Sequence, residues 1–66
     1  MKQYIIIEDN GECAAPGYYL SHDSIGTKTT GHKTNARIFD QFVECNETVE
    51  DLHERGLRNF RLEEIK

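Results

Sequence analysis

The stretch GTKTTGHKT, from Gly26 to Thr34, comes close to a phosphate-binding loop. Its two glycines have the spacing of such a loop, in which backbone N–H groups wrap around a phosphate. His32, however, stands where a lysine must follow the second glycine. The short chain also lacks room for the parallel strand and the second acidic segment of a nucleotide-hydrolysing fold. We therefore interpret the match as a coincidence of composition.

Two other groups of residues have the types, but not the spacing, of a chemical site. His22, Asp23 and Ser24 are the residue types of a catalytic triad, but adjacent residues cannot converge on one another as a triad must. The zinc-ligand types do not occur in the close pairs that structural zinc sites use. These residues are Cys13, His22, His32, Cys45 and His53. We expect no enzymatic activity, no metal and no cofactor.

Chain length and charge narrow the function further. The 66 residues allow one domain, whose small core leaves little room for a deep substrate cleft. The formal net charge of −4 argues against general nucleic-acid binding and permits a protein partner with a basic surface. The apolar run at Tyr4–Ile7 is too short for a signal peptide or a membrane span. We expect a cytoplasmic protein with reduced cysteines and no membrane contact.

Apolar residues recur at spacings of three and four after Asp40. This pattern predicts a helix from about Gln41 to Arg55, with Asp40 as its N-cap and Gly56 just after its end. A shorter helix capped by Thr48 is the alternative. The apolar stripe consists of Phe42, Cys45, Val49 and Leu52. The carboxylates predicted to lie on the opposite face are Glu44, Glu47, Glu50, Asp51 and Glu54.

This acidic face has two interpretations. It is either an ordinary solvated surface or a row of carboxylates that binds lysines and arginines of a partner protein. Aromatic side chains would supply most of the tight contact energy, and Tyr18 or Tyr19 are the candidates, since an edge strand turns one side chain outward.

The segment from Ser21 to Asn35 is rich in serine, threonine, glycine, lysine and histidine. It predicts a flexible loop or a loosely specified hairpin around Gly31. A loop of this kind can become ordered on contact with a partner. The residues of this alternative site are Lys28, His32, Lys33 and Arg37.

The remaining elements are strands. Tyr4–Ile7 predicts a central strand, Asn10-Gly11 a tight hairpin turn, and Cys13–Leu20 an edge strand interrupted by Pro16. Short strands are also predicted over 36–39 and 60–65. The order β-β-loop-β-α-β indicates an α+β fold. We expect a two-layer domain over residues 1–66, in which one helix packs on an antiparallel sheet of three to four strands.

The second half of the chain resembles, in overall style, small single-domain proteins of bacteriophages and mobile elements, including anti-CRISPR inhibitors. The resemblance rests on the ending Ala36–Asp40, the acidic amphipathic helix, Gly56 and the strand Asn59–Ile65. It implies a protein that binds a host defence or transcription complex stoichiometrically and blocks access of nucleic acid or another partner. If a phage encodes the chain, its compartment is the host cytoplasm.

Together these features predict a non-enzymatic protein-binding module, an inhibitor that engages a basic surface of a nucleic-acid-handling or defence complex through its acidic helix face. The alternative is a nucleic-acid-associated regulator that uses the basic loop over residues 21–37. The small core and the interrupted edge strand also leave a homodimer open.

Overall fold

Three consecutive isoleucines form the centre of the fold. Ile5, Ile6 and Ile7 are at most 6% exposed, as β-branched residues are in a strand covered on both faces. In the computed structural model, which describes residues 2–65, this strand lies inside one antiparallel sheet. The strands are β1 (Gln3–Glu8), β2 (Gly17–His22), β3 (Thr27–Thr30) and β4 (Phe60–Ile65), in the order β3-β2-β1-β4. With one α-helix, α1 (Phe42–Glu54), they confirm the predicted α+β class.

The two faces of the sheet are covered differently. On the helix face, Ile6, Tyr19 and Phe60 pack against Leu52 and the other buried residues of α1. On the opposite face, which we call the second face, the side chains of Ile5 and Ile7 pack with Ala36. The segment that leads to Ala36 contains a 3-10 helix (Lys33–Asn35) lying near β2. Both faces of β1 are therefore buried, although the sheet has only one long helix.

The helix begins and ends within one residue of the predicted positions. Cys45, Val49 and Leu52 are buried as the stripe predicted, whereas Phe42 remains 51% exposed at the open first turn. The predicted N-cap was wrong: Gln41 holds that position without a side-chain cap, and Thr48 lies inside the helix. Gly56 has a φ of 89°, the left-handed conformation expected just beyond a helix end. Within residues 2–65 no helix has both the length and the apolar character needed to cross a membrane.

The predicted position of β2 at an edge was wrong. β3 pairs with its outer side, so β2 lies inside the sheet. No apolar pattern predicts β3, because its four residues are Thr-Lys-Thr-Thr. Its hairpin turn lies near Asp23 rather than Gly31, because the Asp23 carboxylate accepts hydrogen bonds from the N–H groups of Ile25 and Gly26. Part of the predicted loop over 21–35 is thus strand and 3-10 helix.

The prediction of a tight Asn-Gly turn after β1 was also wrong. Residues 9–16 separate β1 from β2, and the described non-glycine residues, Asn10 included, have no positive φ. A two-residue type I′ turn needs a positive φ at both of its central positions. Instead, the side chain of Asn10 donates to the backbone oxygen of Ala15 and closes a wider loop. The second strand consequently begins at Gly17 and not near Cys13.

The predicted strand over 36–39 is reduced to a single bridge between Phe39 and Tyr4. At one end of the two strands, β1 pairs directly with β2, through Ile7 with Tyr18 and Glu8 with Gly17. At the other end, the segment over 36–39 passes between them. The Arg37 N–H donates to the Tyr19 carbonyl, and Phe39 exchanges two hydrogen bonds with Tyr4 at 2.8 and 2.9 Å. This segment carries the chain from the second face to the helix face.

Candidate functional site

The outermost side of α1 carries three of the five predicted carboxylates and one apolar residue. We call Val43, Glu47, Glu50 and Glu54 the outer helix face. They follow one another at spacings of four, three and four, which keeps them in one row along the helix. The three glutamates are exposed, and Val43 is 64% exposed. Asn46 donates a hydrogen bond to Glu50 at 3.0 Å, and within residues 2–65 none of the three glutamates makes an ion pair.

The other two predicted carboxylates, Glu44 and Asp51, lie on the flank of α1 that faces β2. Glu44 is 3.6 Å from the guanidinium of Arg37. Asp51 lies 2.9 Å from Nε2 of His22 and 3.2 Å from Nε of Arg55. These two carboxylates are therefore neutralised within the chain, and the predicted row of five divides into two paired groups and three that make no ion pair within residues 2–65.

Asp51 belongs to a hydrogen-bonded chain that starts in the core. Because a carboxylate can only accept, His22 donates from Nε2 to Asp51, and its Nδ1 shares a hydrogen bond with the Tyr19 hydroxyl, 2.6 Å away. Arg55 continues the chain, since it donates to both Asp51 and the backbone oxygen of Asp23. The chain ties β2, α1 and the β2–β3 turn together. Its tyrosine is closed off from solvent, so the arrangement fits a structural role.

Tyr19 was predicted as one of two candidate exposed aromatics, and for this residue the prediction was wrong. It is 1% exposed and packs beside Phe39 with a centroid distance of 6.3 Å, because its position on β2 turns the side chain to the helix face, under α1. Burial raises the pKa of its hydroxyl. Tyr18 points to the second face, where it is half-buried beside Ile5, Ile7 and Ala36.

The exposed apolar residues lie elsewhere. Phe42 and Val43, in the first turn of α1, are 51% and 64% exposed, and Ile38 is 46% exposed. The ring of Phe42 meets that of Tyr4 edge-on at 5.6 Å. Val43 was missed by the sequence analysis, although its place four residues before Glu47 indicates that it shares the acidic row.

The four basic residues of the alternative site do not form one patch. Lys33 lies 3.3 Å from the Glu63 carboxylate, and Arg37 pairs with Glu44 while its guanidinium sits 4.8 Å above the ring centroid of Phe39. Lys28 and His32 are exposed and make no ion pair within the described residues. Two of the four cations are therefore already balanced by carboxylates of the same chain.

A pocket of about 380 Å³ opens beside β3 on the helix face. Ile25, Leu57 and Phe60 supply its apolar lining, and Arg55 and Glu8 supply opposite charges. Ile25 is 95% exposed at the β2–β3 turn. Backbone N–H groups of Ile25 and Gly26 hold the pKa of Asp23 below its ordinary value and so favour the charged form that shapes this turn.

The cysteines and histidines serve separate local roles. Cys13 is exposed, whereas Cys45 is buried under the sheet, and burial raises the pKa of its thiol to about 11. His53 donates from Nε2 to the backbone oxygen of Phe60 at 2.8 Å. No group of three metal-ligating side chains converges anywhere in residues 2–65.

The outer helix face thus has an exposed apolar residue at one end and, along its length, three carboxylates that make no ion pair within residues 2–65. Comparison with family models, with curated proteins and with solved structures gives no match.

Proposed function

We propose that the protein is a non-enzymatic binding module whose outer helix face engages a basic surface of another protein. The observation that carries the proposal is the division of the helix carboxylates. Glu47, Glu50 and Glu54 face outward without an ion pair in residues 2–65, while Glu44 and Asp51 are paired inside the chain. Three free carboxylates on one exposed face produce a field that attracts lysine and arginine.

The row of carboxylates is an anionic track of the kind that a nucleic-acid-binding groove accepts, although its charge density is lower than that of a strand. Glu47 and Glu54 are seven residues apart, or about 10 Å along the helix axis, with Glu50 between them. One nucleic-acid strand carries a phosphate about every 3.4 Å along the helix axis, so the row is a sparser anionic track than a strand. A basic groove can accept such a track in place of phosphates. Occupation of the groove would make the protein a stoichiometric inhibitor of a nucleic-acid-handling or defence complex.

Val43 supports a protein partner over a purely ionic one. Charges steer encounter and set specificity, whereas buried apolar contacts supply most of the tight binding energy. Val43 is 64% exposed at the end of the acidic row, and Phe42 beside it is 51% exposed. We therefore expect the partner to place an apolar pocket next to its lysines and arginines. Cys13 and Cys45 are free thiols, in keeping with action in the cytoplasm, that of the host if a phage encodes the protein.

The alternative, a nucleic-acid-associated regulator, has less support. Lys33 and Arg37 lie within 4 Å of Glu63 and Glu44, which leaves Lys28 and His32 as the exposed basic side chains of that segment. Two scattered groups neutralise few phosphates on a chain of net charge −4. A gel-shift experiment at physiological salt tests this alternative directly.

The proposal is tested with the triple variant Glu47→Gln, Glu50→Gln, Glu54→Gln. Tagged native protein and the variant are used to capture partners from a bacterial lysate. Affinity and stoichiometry for the captured protein are then measured by titration calorimetry at two salt concentrations. We expect a one-to-one complex, weakened at least about tenfold in the variant, with a smaller dependence on salt because fewer ion pairs form.

The matched control carries Asp9→Asn, Glu12→Gln and Asp40→Asn. It changes the net charge by the same amount at exposed positions outside α1. Equal binding by the native protein and both variants would contradict the acidic-face proposal. A Val43→Ser variant separates the apolar contribution, since it should lower affinity and leave the salt dependence unchanged.

A further inference from the structure

The outer edge of β4 has no strand neighbour in the described structure, and its backbone directions can be derived. The Asp9 N–H donates to the Asn59 carbonyl, so Asn59 points its backbone groups toward β1. Directions alternate along a strand. Phe60, Leu62 and Glu64 consequently point their N–H and C=O groups away from β1, toward the outer edge. Phe60 pairs with Glu8 and Ile65 with Gln3, so this alternation holds for the whole strand.

Part of this edge is protected. His53 donates to the outward carbonyl of Phe60 at 2.8 Å, which occupies one acceptor at the start of β4. The outward groups of Leu62 and Glu64 have no such cover from a backbone or side-chain donor in residues 2–65. An uncovered row of this kind is a template for a further strand.

The charged side chains of β4 determine which kind of strand can pair with its outer edge. Arg61 and Glu63 both point to the second face, two residues apart. Arg61 is exposed and has no ion pair within residues 2–65, while Glu63 contacts Lys33 through Oε2 alone, so its Oε1 can accept from a second cation. A complementary antiparallel strand must therefore carry an acid opposite Arg61 and a base opposite Glu63, and β4 itself has this pattern when reversed.

Only one register of β4 against a second copy joins outward backbone groups and also opposes unlike charges. When Leu62 faces Leu62 of the second copy, their outward groups meet and Arg61 lies opposite Glu63 on both sides of the two-fold axis. Shifting to the next allowed register in either direction sets Glu63 against Glu63 or Arg61 against Arg61. Directly opposed like charges destabilise a pair of strands.

We propose that two copies of this chain associate through antiparallel pairing of their β4 edges, centred on Leu62, with reciprocal Arg61–Glu63 ion pairs. The occupant of this edge is thus a second copy, and the surface is separate from the outer helix face. The two-fold axis stands perpendicular to the sheet, so the dimer has one continuous eight-stranded sheet with both α1 helices on the same side. A single pair of six-residue strands makes a small interface, and we expect weak association.

The test uses two charge-reversal variants, Arg61→Glu and Glu63→Arg. Each places like charges opposite one another in its own homodimer, so each should self-associate at least about tenfold more weakly than the native protein. A mixture of the two restores unlike charges at both contacts and should form a one-to-one heterodimer. Sedimentation equilibrium from about 10 μM to about 1 mM covers the range of weak interfaces.

Controls separate the register from net charge and folding. Lys28→Glu makes the same charge change as Arg61→Glu on the opposite edge strand, and it should leave dimerisation unaltered. Circular dichroism checks that each variant folds. If loss of the Lys33 contact prevents Glu63→Arg from folding, the native protein alone still tests the proposal. In that case amide exchange at Leu62 must slow as the protein concentration rises. A native protein that stays monomeric to about 1 mM, or a dimer insensitive to Arg61→Glu, would overturn the proposal.

Discussion

On the side of α1 that faces β2, Asp51 contacts both His22 and Arg55, whereas on the outer helix face Glu47 and Glu54 have no ion-pair partner within residues 2–65. These carboxylates belong to one helix and are separated by less than two turns. Asp51 is linked through His22 to the buried Tyr19, so its removal affects the packing of β2 against α1. The outer glutamates contact solvent, so their removal changes the surface charge that the molecule presents to a partner.

The comparison shows why an acidic helix cannot be assigned one role. A paired carboxylate is neutralised by its neighbours and contributes to the fold, while an unpaired one leaves its charge available for an encounter. The dividing feature is position around the helix axis relative to β2. Measurements that separate stability from binding should therefore distinguish the two sides of α1.

The largest effect is expected where the hydrogen-bonded chain enters the core. Replacing Tyr19 by Ala removes a ring that is 1% exposed and leaves a cavity between β2 and α1. We expect a loss of about 3–5 kcal/mol, enough to unfold most of so small a domain. Chemical denaturation followed by circular dichroism measures this loss. A loss below about 1 kcal/mol would show that Tyr19 is not a core residue.

A smaller loss of stability is expected at Asp51, the paired carboxylate of the comparison. Asp51→Ala removes the acceptor of His22 and Arg55, and we expect the free energy of unfolding to fall by about 1 kcal/mol, because the carboxylate is partly exposed and its pairs are screened. The matched change Glu54→Ala, one turn away on the outer helix face, should stay within about 0.5 kcal/mol of the native value. Equal losses in the two variants would remove the distinction between the two sides of α1.

The inner side of α1 can also be probed through Cys45. Its pKa is raised to about 11 by burial, from 9.0 in an open chain. Between pH 9.0 and 11 the folded state therefore keeps the thiol neutral while the unfolded chain ionises. The contribution of the buried neutral thiol to the free energy of unfolding is complete below pH 9.0 and is lost as the pH rises toward 11. We expect a loss of roughly 1 kcal/mol by pH 10, the equivalent of nearly one pKa unit.

The control for this pH effect is Cys45→Ala, measured at pH 8 and pH 10. The variant is less stable at both, but its difference between the two pH values should be smaller than in the native protein. The native thiols offer a second readout: at neutral pH a thiol reagent should modify exposed Cys13 rapidly and buried Cys45 only on unfolding. Rapid modification of both would show that the helix does not close over Cys45.

The smallest expected effect concerns the link between the core and the helix flank. Tyr19→Phe removes only the hydroxyl that forms a hydrogen bond with Nδ1 of His22. Combined with Asp51→Ala in a double-mutant cycle, it should give a coupling energy of roughly 0.5 kcal/mol, because both residues hold the same imidazole. Tyr19→Phe with Glu54→Ala is the matched cycle, for which the two changes should simply add. Additivity in both cycles would mean that His22 does not connect Tyr19 to Asp51.

Much of the architecture could be predicted from local pattern. The isoleucine run indicated a central strand, the apolar stripe indicated α1 within one residue at each end, and Phe60 with Leu62 indicated β4. These elements carry apolar residues at regular spacings, because one face of each must be buried, and such spacings can be recognised in the sequence. β3 has no such residues: its Thr-Lys-Thr-Thr segment becomes a strand because the Asp23 turn folds it back onto β2.

The candidate site was predictable only in composition. The sequence placed five carboxylates on one helix and identified two tyrosines, but it could not tell which would be paired. The packing of α1 on the sheet buried Tyr19, and bringing His22 and Arg37 to the flank of α1 neutralised Asp51 and Glu44. The contact of His22 with Asp51 joins residues 29 positions apart, and Arg37 reaches Glu44 only because the connecting segment crosses to the helix face, so the local sequence pattern predicts neither contact.

The sequence by itself determined the α+β class, the helix and its acidic character, because helical periodicity and β-branched runs respond to local backbone preference and to the need to bury apolar side chains. Only the tertiary structure decided the order of the strands, the burial of Tyr19 and the division between paired and free carboxylates. Strand order depends on which edges meet after the chain has turned, and the charge of a carboxylate is available to a partner only where folding has brought no cation beside it.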